Sequence, residues 1–314
     1  MIYVHVNKYS IRSYKYMKNT RFGVEIEFTG ITREMAAKVA SKVLGAPVEY
    51  VGTYYDTYAV KTADRRTWKF MSDGSIRTQV KINGVAERAP KTYAVELVTP
   101  ILTYQEDIAT LQELIRELRK AGAFTNNSCG IHIHLDGKGH TTQSIKNFIS
   151  IIYARNDLFY SALKVERERR RYCSEFDAKL VRRIKEKNPK TLKEMEDIWY
   201  EDYCGSRDIH YHDSRYHFLN LHSFFYGTHT VELRGFNSTL HAGEVRSYIL
   251  LALALNNQAL TQKCASTHRP QEENQKFAMR TYLNRIGFIG DEFKAPREHL
   301  LKNLTGSSAW RFAD

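Results

Sequence analysis

Residues 21–28 read Arg-Phe-Gly-Val-Glu-Ile-Glu-Phe, an alternation that predicts a β-strand with two unlike faces. Val24, Ile26 and Phe28 point one way, and Glu25 and Glu27 point the other, about 7 Å apart. Two like charges with so little separation call for a cation between them. An ordinary half-buried strand with its polar face in water gives the same pattern, so this segment alone does not separate the two readings. What constrains the chain is that the pattern recurs.

Residues 93–98, Tyr-Ala-Val-Glu-Leu-Val, turn Val95 and Leu97 to one side and Glu96 to the other, beside only Ala94 and Val98. A carboxylate among such small apolar neighbours is costly without a partner. Residues 129–136, Cys-Gly-Ile-His-Ile-His-Leu-Asp, place Ile131, Ile133 and Leu135 on one face and His132, His134 and Asp136 on the other. A lone His-x-His often only satisfies local hydrogen bonds. A metal site needs further ligands, and Glu25, Glu27 and Glu96 could supply them. Residues 230–234, Thr-Val-Glu-Leu-Arg, put Glu232 and Arg234 on one face. Such a pair is either a surface ion pair of little worth or, beside a metal-bound phosphate, a cation ligand and an anion clamp.

The segments between these strands set the fold class. Residues 2–6 alternate like an edge strand. Thr32 can cap a helix carrying Met35, Ala36, Val39, Ala40 and Val43, closed by Gly45 and Pro47. Residues 67–70 form a strand, Asp73-Gly74-Ser75 a turn, and residues 79–82 lead into an Asn83-Gly84 hairpin whose return strand includes residues 93–98. A helix over 105–121 carries Ile108, Leu111, Ile115 and Leu118 and stops at Gly122; a second carries Ile145, Phe148, Ile149, Ile152 and Tyr153. Residues 160–214 read as a charged helical excursion, with Phe176, Leu180 and Ile184 and then Leu192, Met195 and Trp199 at helical spacing, lying over the sheet as a lid would. A strand over 215–221 turns near Tyr226-Gly227 into the Glu232 strand, and helices occupy 242–314. With no repeat and no Pro-rich linker, residues 1–314 read as a single α+β domain built on an antiparallel sheet.

Composition limits the partners. At 42% hydrophobic and 26% charged the chain is expected to be soluble and globular, and its net charge of +12 favours an anionic partner. Much of that excess lies at Lys8, Arg12, Lys15, Lys18 and Arg21 and at Arg167, Arg169, Arg170 and Arg171, runs that are more often solvated faces than binding sites. Cys129, Cys173, Cys204 and Cys264 form no Cys-x-x-Cys pair, which fits a reducing cytoplasm. The N-terminus lacks the apolar stretch of a signal peptide, and the apolar run 248–255 is too short to cross a bilayer. No membrane role is expected.

Taken together, FGVEIEF, WKFMSDGSI (residues 68–76), YAVELVTP, CGIHIHLD and the pair RYHFLNL/TVELRGF resemble the amidoligases, sequence relatives of glutamine synthetase and glutamate-cysteine ligase. The blocks run in that family's order from Arg21 to about Ile249. The resemblance implies a glutamine synthetase-type fold, a curved antiparallel half-barrel with the site in its concave face and helices behind. It implies a carboxylate-amine ligase that forms an amide or isopeptide bond: ATP phosphorylates a substrate carboxylate, and an amine then displaces phosphate from the acyl phosphate. By position in the family's pattern, Glu25, Glu27, Glu96 and Glu232 would be ligands to Mg²⁺ or Mn²⁺, with His132 a metal or phosphate contact. Arg234 would stabilise the phosphoryl group in flight, and Asp73 would hold the amine. His134, Arg215 and Asn220, with Arg234, would face the nucleotide. The substrates would be an amine and a carboxylate, a peptide or protein side chain among the candidates. Three rivals stay open: a Zn²⁺ hydrolase using His132, His134 and a carboxylate, a nucleic-acid-binding protein suggested by the charge and the 20 tyrosines, and a non-catalytic nucleotide-binding member.

Overall fold

Each acid-bearing segment is a strand with its apolar side turned into one shared core. The computed structural model describes residues 16–310, so the expected edge strand at 2–6 and the basic residues Lys8, Arg12 and Lys15 lie outside the described residues. The strands are β1 (Arg21–Phe28), β2 (Val48–Gly52), β3 (Thr57–Lys61), β4 (Thr67–Met71), β5 (Gln79–Ile82), β6 (Val85–Arg88), β7 (Val95–Val98), β8 (Leu102–Thr103), β9 (Gly130–Asp136), β10 (Leu219–Asn220) and β11 (Thr230–Asn237). Nine of them form one antiparallel sheet in the order β10-β11-β9-β1-β7-β4-β3-β2, with β8 pairing on the start of β1. The architecture is α+β, as expected.

Val24, Ile26 and Phe28 of β1, Ile131 and Ile133 of β9, and Val231 and Leu233 of β11 are all buried in the main hydrophobic core with residues of four long helices. These helices are Arg33–Leu44, Tyr104–Lys120, Thr142–Ala154 and Ala242–Thr261. The first is capped as its sequence predicts: Thr32 accepts from the Met35 N–H, and Gly45 closes it in the left-handed region at φ 65°. The middle of the last is apolar on every side, with Leu250 through Leu255 all fully buried, as a helix segment enclosed in a core must be. Among the described residues no helix is long and apolar enough to cross a membrane.

Three expectations are corrected. The strand returning from Asn83-Gly84 is β6, and β5 with β6 forms a separate two-stranded sheet; residues 95–98 belong to the main sheet instead. Pro90, which has no N–H to donate, and the 3₁₀ turn Lys91–Tyr93 break the chain between the two strands. The strand expected over 215–221 is regular only at Leu219–Asn220, because Asn220 Oδ1 accepts the His222 N–H at 2.7 Å and starts the short helix His222–Phe225. Arg169 is also not on a solvated face: it is 2% exposed, and its guanidinium donates to the carbonyls of Phe236 and Arg234.

Two further features shape the face opposite the core. Between Leu233 and Phe236, β11 gains one residue relative to β9, a bulge at Arg234-Gly235. A Cβ on Gly235 would lie 2.0 Å from the Phe218 ring, so the bulge needs glycine for space. At the outer side of the sheet, Tyr55, between β2 and β3, and Tyr211, ahead of β10, place their hydroxyls 2.7 Å apart. These loops border opposite ends of the strand order, so the segments flanking the sheet meet across its polar face.

Candidate active site

The register of four adjacent strands assembles the polar face. β1 lies between β7 and β9, which sets Glu27 directly opposite Glu96 and Glu25 directly opposite His132; β11 then sets Glu232 opposite His134. Residues more than 200 positions apart in the chain thus become neighbours. Glu25, Glu27, Glu96, His132 and Arg234 line one cleft of about 1380 Å³, together with Asp73, Arg169 and Arg215. Glu232 sits just behind them, 2% exposed.

Short contacts fix each group. Glu25 Oε2 is 2.9 Å from His132 Nδ1, and Glu25 Oε1 is 3.0 Å from His134 Nε2, the latter an ion pair without hydrogen-bond alignment. Glu27 Oε2 accepts the Gly130 N–H at 2.6 Å. Glu232 accepts from Arg234 Nη1 on one oxygen and from Asn220 Nδ2 on the other, both at 2.5 Å. Arg234 Nε donates to the Tyr172 carbonyl at 3.2 Å. Asp73 accepts the Ser75 N–H with Oδ1 at 2.6 Å.

The charges divide into two kinds. Burial, with Asp73 nearby, pushes the Glu27 carboxyl up to about 8 despite Arg169, the Gly130 N–H and Arg234. Burial and the neighbouring Glu25 and Glu27 likewise raise Glu96 well above the carboxylate range. Burial also opposes ionisation of Glu232 and Glu25, yet it is outweighed. Arg234 and the two histidines bring Glu232 down to about 2, and His134 with His132 holds Glu25 well below its usual value. Burial and the Arg234 charge lower His132 to about 4, so it is neutral at pH 7. For His134 the pull of Glu25 and Glu232 overcomes burial and raises it to about 9.

This donor set fits a hard divalent cation. Donor atoms of Glu25, His132 and Glu232 all lie within 4.8 Å of one another, as do those of Glu27, Glu96 and His132. The two groups share His132 and are otherwise carboxylate oxygens, the ligand chemistry of Mg²⁺ or Mn²⁺. A positive ion there would oppose the burial and like-charge repulsion that keep Glu27 and Glu96 protonated.

The residues expected to face a nucleotide do not share one surface. His134 lines a second, smaller cavity of about 340 Å³ with Glu25, Phe22, Thr99, Ile101 and Asp136. Arg215 lines the large cleft, where its guanidinium stacks 5.2 Å from the Tyr211 ring centre. Asn220 is buried behind Glu232 and orients it. Sequence reasoning missed the place of Arg169. A Cβ on Gly130 would lie 2.1 Å from Arg169 Nη2, so the glycine before the His-x-His strand makes room for that guanidinium. The only trace of this in the sequence is the glycine, whose partner lies 39 residues away. No curated protein matches the chain. The family model described as "putative amidoligase enzyme" matches residues 18–256, a stretch that contains every strand among the described residues and every residue of this site, and the chain belongs to that family.

Proposed function

We propose that this protein is an ATP- and Mg²⁺-dependent carboxylate-amine ligase, related in fold and reaction to glutamine synthetase and glutamate-cysteine ligase, that makes an amide or isopeptide bond through an acyl phosphate. One observation carries the reading: three carboxylates, a neutral imidazole and a buried arginine line one cleft, with a fourth carboxylate, Glu232, just behind them, all from four adjacent strands. Mg²⁺ or Mn²⁺ held by Glu25, Glu27, Glu96, Glu232 and His132 would supply the positive charge that gathers phosphate oxygens.

The chain's own residues account for the rest. Glu232 and the Tyr172 carbonyl hold Arg234 from two sides, which leaves the outer edge of its guanidinium to meet negative charge developing on the phosphoryl group. In the first step a substrate carboxylate oxygen attacks the γ-phosphorus and the bond to ADP breaks. In the second, a neutral amine attacks the acyl carbon, phosphate leaves, and the amine's proton passes to a base. Asp73 would serve as that base, a reading supported by its position: one oxygen is bound by the Ser75 N–H, and the residue lines the cleft beside the acids. The smaller cavity, which meets the large cleft at Glu25, suits the nucleotide. The zinc hydrolase reading is weaker, because each ligand group brings one imidazole and His134 joins neither.

The test is purified protein with ATP and Mg²⁺ offered pools of amines and carboxylates, with ADP and new amides read by mass spectrometry. ADP and an amide in equal amounts are expected. No ADP above a Glu25→Gln control with any pool would rule out the ligase reading.

A further inference from the structure

Away from the cleft, His241, Glu244 and His299 converge, with one donor atom of each within 4.8 Å of the others. His241 is the N-cap of the Ala242–Thr261 helix, and Glu244 follows one turn on. His299 comes from the last turn of the helix Lys294–Leu301. The two imidazoles meet at 65° with ring centres 5.0 Å apart, the edge of one turned toward the other, in keeping with a donor nitrogen of each lying near the other.

Gly243 is a second, independent observation. A Cβ there would lie 2.9 Å from His299 Nε2 and 3.4 Å from His241 Nδ1. Its φ is not positive, so the backbone does not call for glycine, which weakens a helix relative to alanine. The missing side chain leaves the space that both nitrogens border.

We propose that His241, Glu244 and His299 form a binding site for a divalent transition ion, Zn²⁺ by its ligand preference, which clips the Lys294–Leu301 helix to the helix packed on β9. Two imidazoles and a carboxylate suit zinc and leave a fourth position for water, whereas Mg²⁺ prefers oxygen ligands throughout. A cation already stands at the carboxylate: Lys302 Nζ is 2.5 Å from Glu244 Oε1, and the ion takes the other oxygen or displaces the ammonium. His241 Nδ1 accepts the Glu244 N–H at 3.2 Å, so ligation through that nitrogen gives up one long capping bond. His299 lies beyond residue 256, so the ion would tie the part of the chain outside the family match to the part inside it.

The test is a Zn²⁺ titration of the full, chelator-treated chain by calorimetry, with thermal melting alongside. His299→Gln is expected to lose one equivalent of zinc, or to bind it at least about tenfold more weakly, and to lose the zinc-induced rise in Tm. His132→Gln, in the cleft, should keep that equivalent. Gly243→Ala favours the helix yet fills the space, so it should fold and still bind zinc more weakly, which keeps the test sound if His299→Gln folds poorly. Zinc binding by Gly243→Ala and by folded His299→Gln equal to that of the wild type in number and affinity overturns the proposal. ATP turnover should be unchanged in both variants, so this result is independent of the ligase reading.

Discussion

Arg234 Nη1 donates to Glu232 Oε1 at 2.5 Å, from two residues further along the same strand, and both side chains are almost wholly buried. The bulge at Arg234-Gly235 falls at this pair, so the strand bends where the guanidinium meets the acids. Asn220 holds the other Glu232 oxygen, which leaves the carboxylate little freedom to turn. A planar fork held at Nε and Nη1 that also lines the cleft is suited to a reacting phosphoryl group.

Arg234→Lys should therefore lower ligase turnover by roughly two to three orders of magnitude, with ATP affinity nearly kept. Turnover, ATP affinity and Tm are to be measured on the same variant. Early melting together with poor ATP binding would mean that Arg234 holds the sheet together instead.

Glu25 and Glu27 should respond differently to the same change. Glu27 is already protonated at pH 7, and glutamine can still accept the Gly130 N–H, so Glu27→Gln should keep its Tm while Mg²⁺-dependent ATP turnover is lost. Glu25 is ionised between two histidines, so Glu25→Gln should lose turnover and also about 1–3 kcal/mol of stability in urea unfolding. Full ATP turnover in either variant would take that residue out of the site.

The raised carboxyl of Glu27 sets a pH dependence. Its folded pKa of about 8 stands above its ordinary value of 4.5, so the native state binds the extra proton and metal-free stability falls as pH rises from about 4.5 to 8. His134, raised to about 9, contributes stability that is full below 6.5 and is lost as pH rises through 9. Both act in the same direction between pH 6.5 and 8, where Tm without metal should drop and Mg²⁺ should remove much of the drop. Mg²⁺ affinity should climb with pH up to about 8 and then level off, with proton release seen by titration in buffers of different ionisation enthalpy. A pH-independent Mg²⁺ affinity would mean that Glu27 is not a ligand.

Gly130→Ala should destabilise by about 1–3 kcal/mol, because the Arg169 guanidinium beside it is pinned to two carbonyls and has no free direction to move. Urea unfolding of Gly130→Ala and of Arg169→Ala, singly and together, tests this. The double variant should lose less than the sum of the two, and strict additivity would count against the contact.

Much of this site was legible because strand alternation sorts residues by face before any partner is known. Spacing alone marks Glu25, Glu27, Glu96, His132, Glu232 and Arg234, and all six converge. Register was not legible, since nothing local says that β1 lies between β7 and β9. For the same reason the return strand of the Asn83-Gly84 hairpin is hidden in the sequence: residues 85–88 carry too little apolar pattern to mark it. His134, Arg215 and Asn220 were grouped by family position, and the fold sends them to a small cavity, a cleft and a buried bond. Arg169 sat in a run of arginines that looked solvated, and only the long-range contact with Gly130 reveals its burial.

Glu25 is a wall that two rooms share. It lines the large cleft with Glu27 and the small cavity with His134, and its charge is held by one histidine on each side. Any guest in one room that draws on this carboxylate changes what the other room offers. Equilibrium requires that the change be the same in both directions: if the first guest strengthens the second by some factor, the second strengthens the first by that factor. The order in which two substrates arrive can then differ in rate, but it leaves the product of their binding constants unaltered.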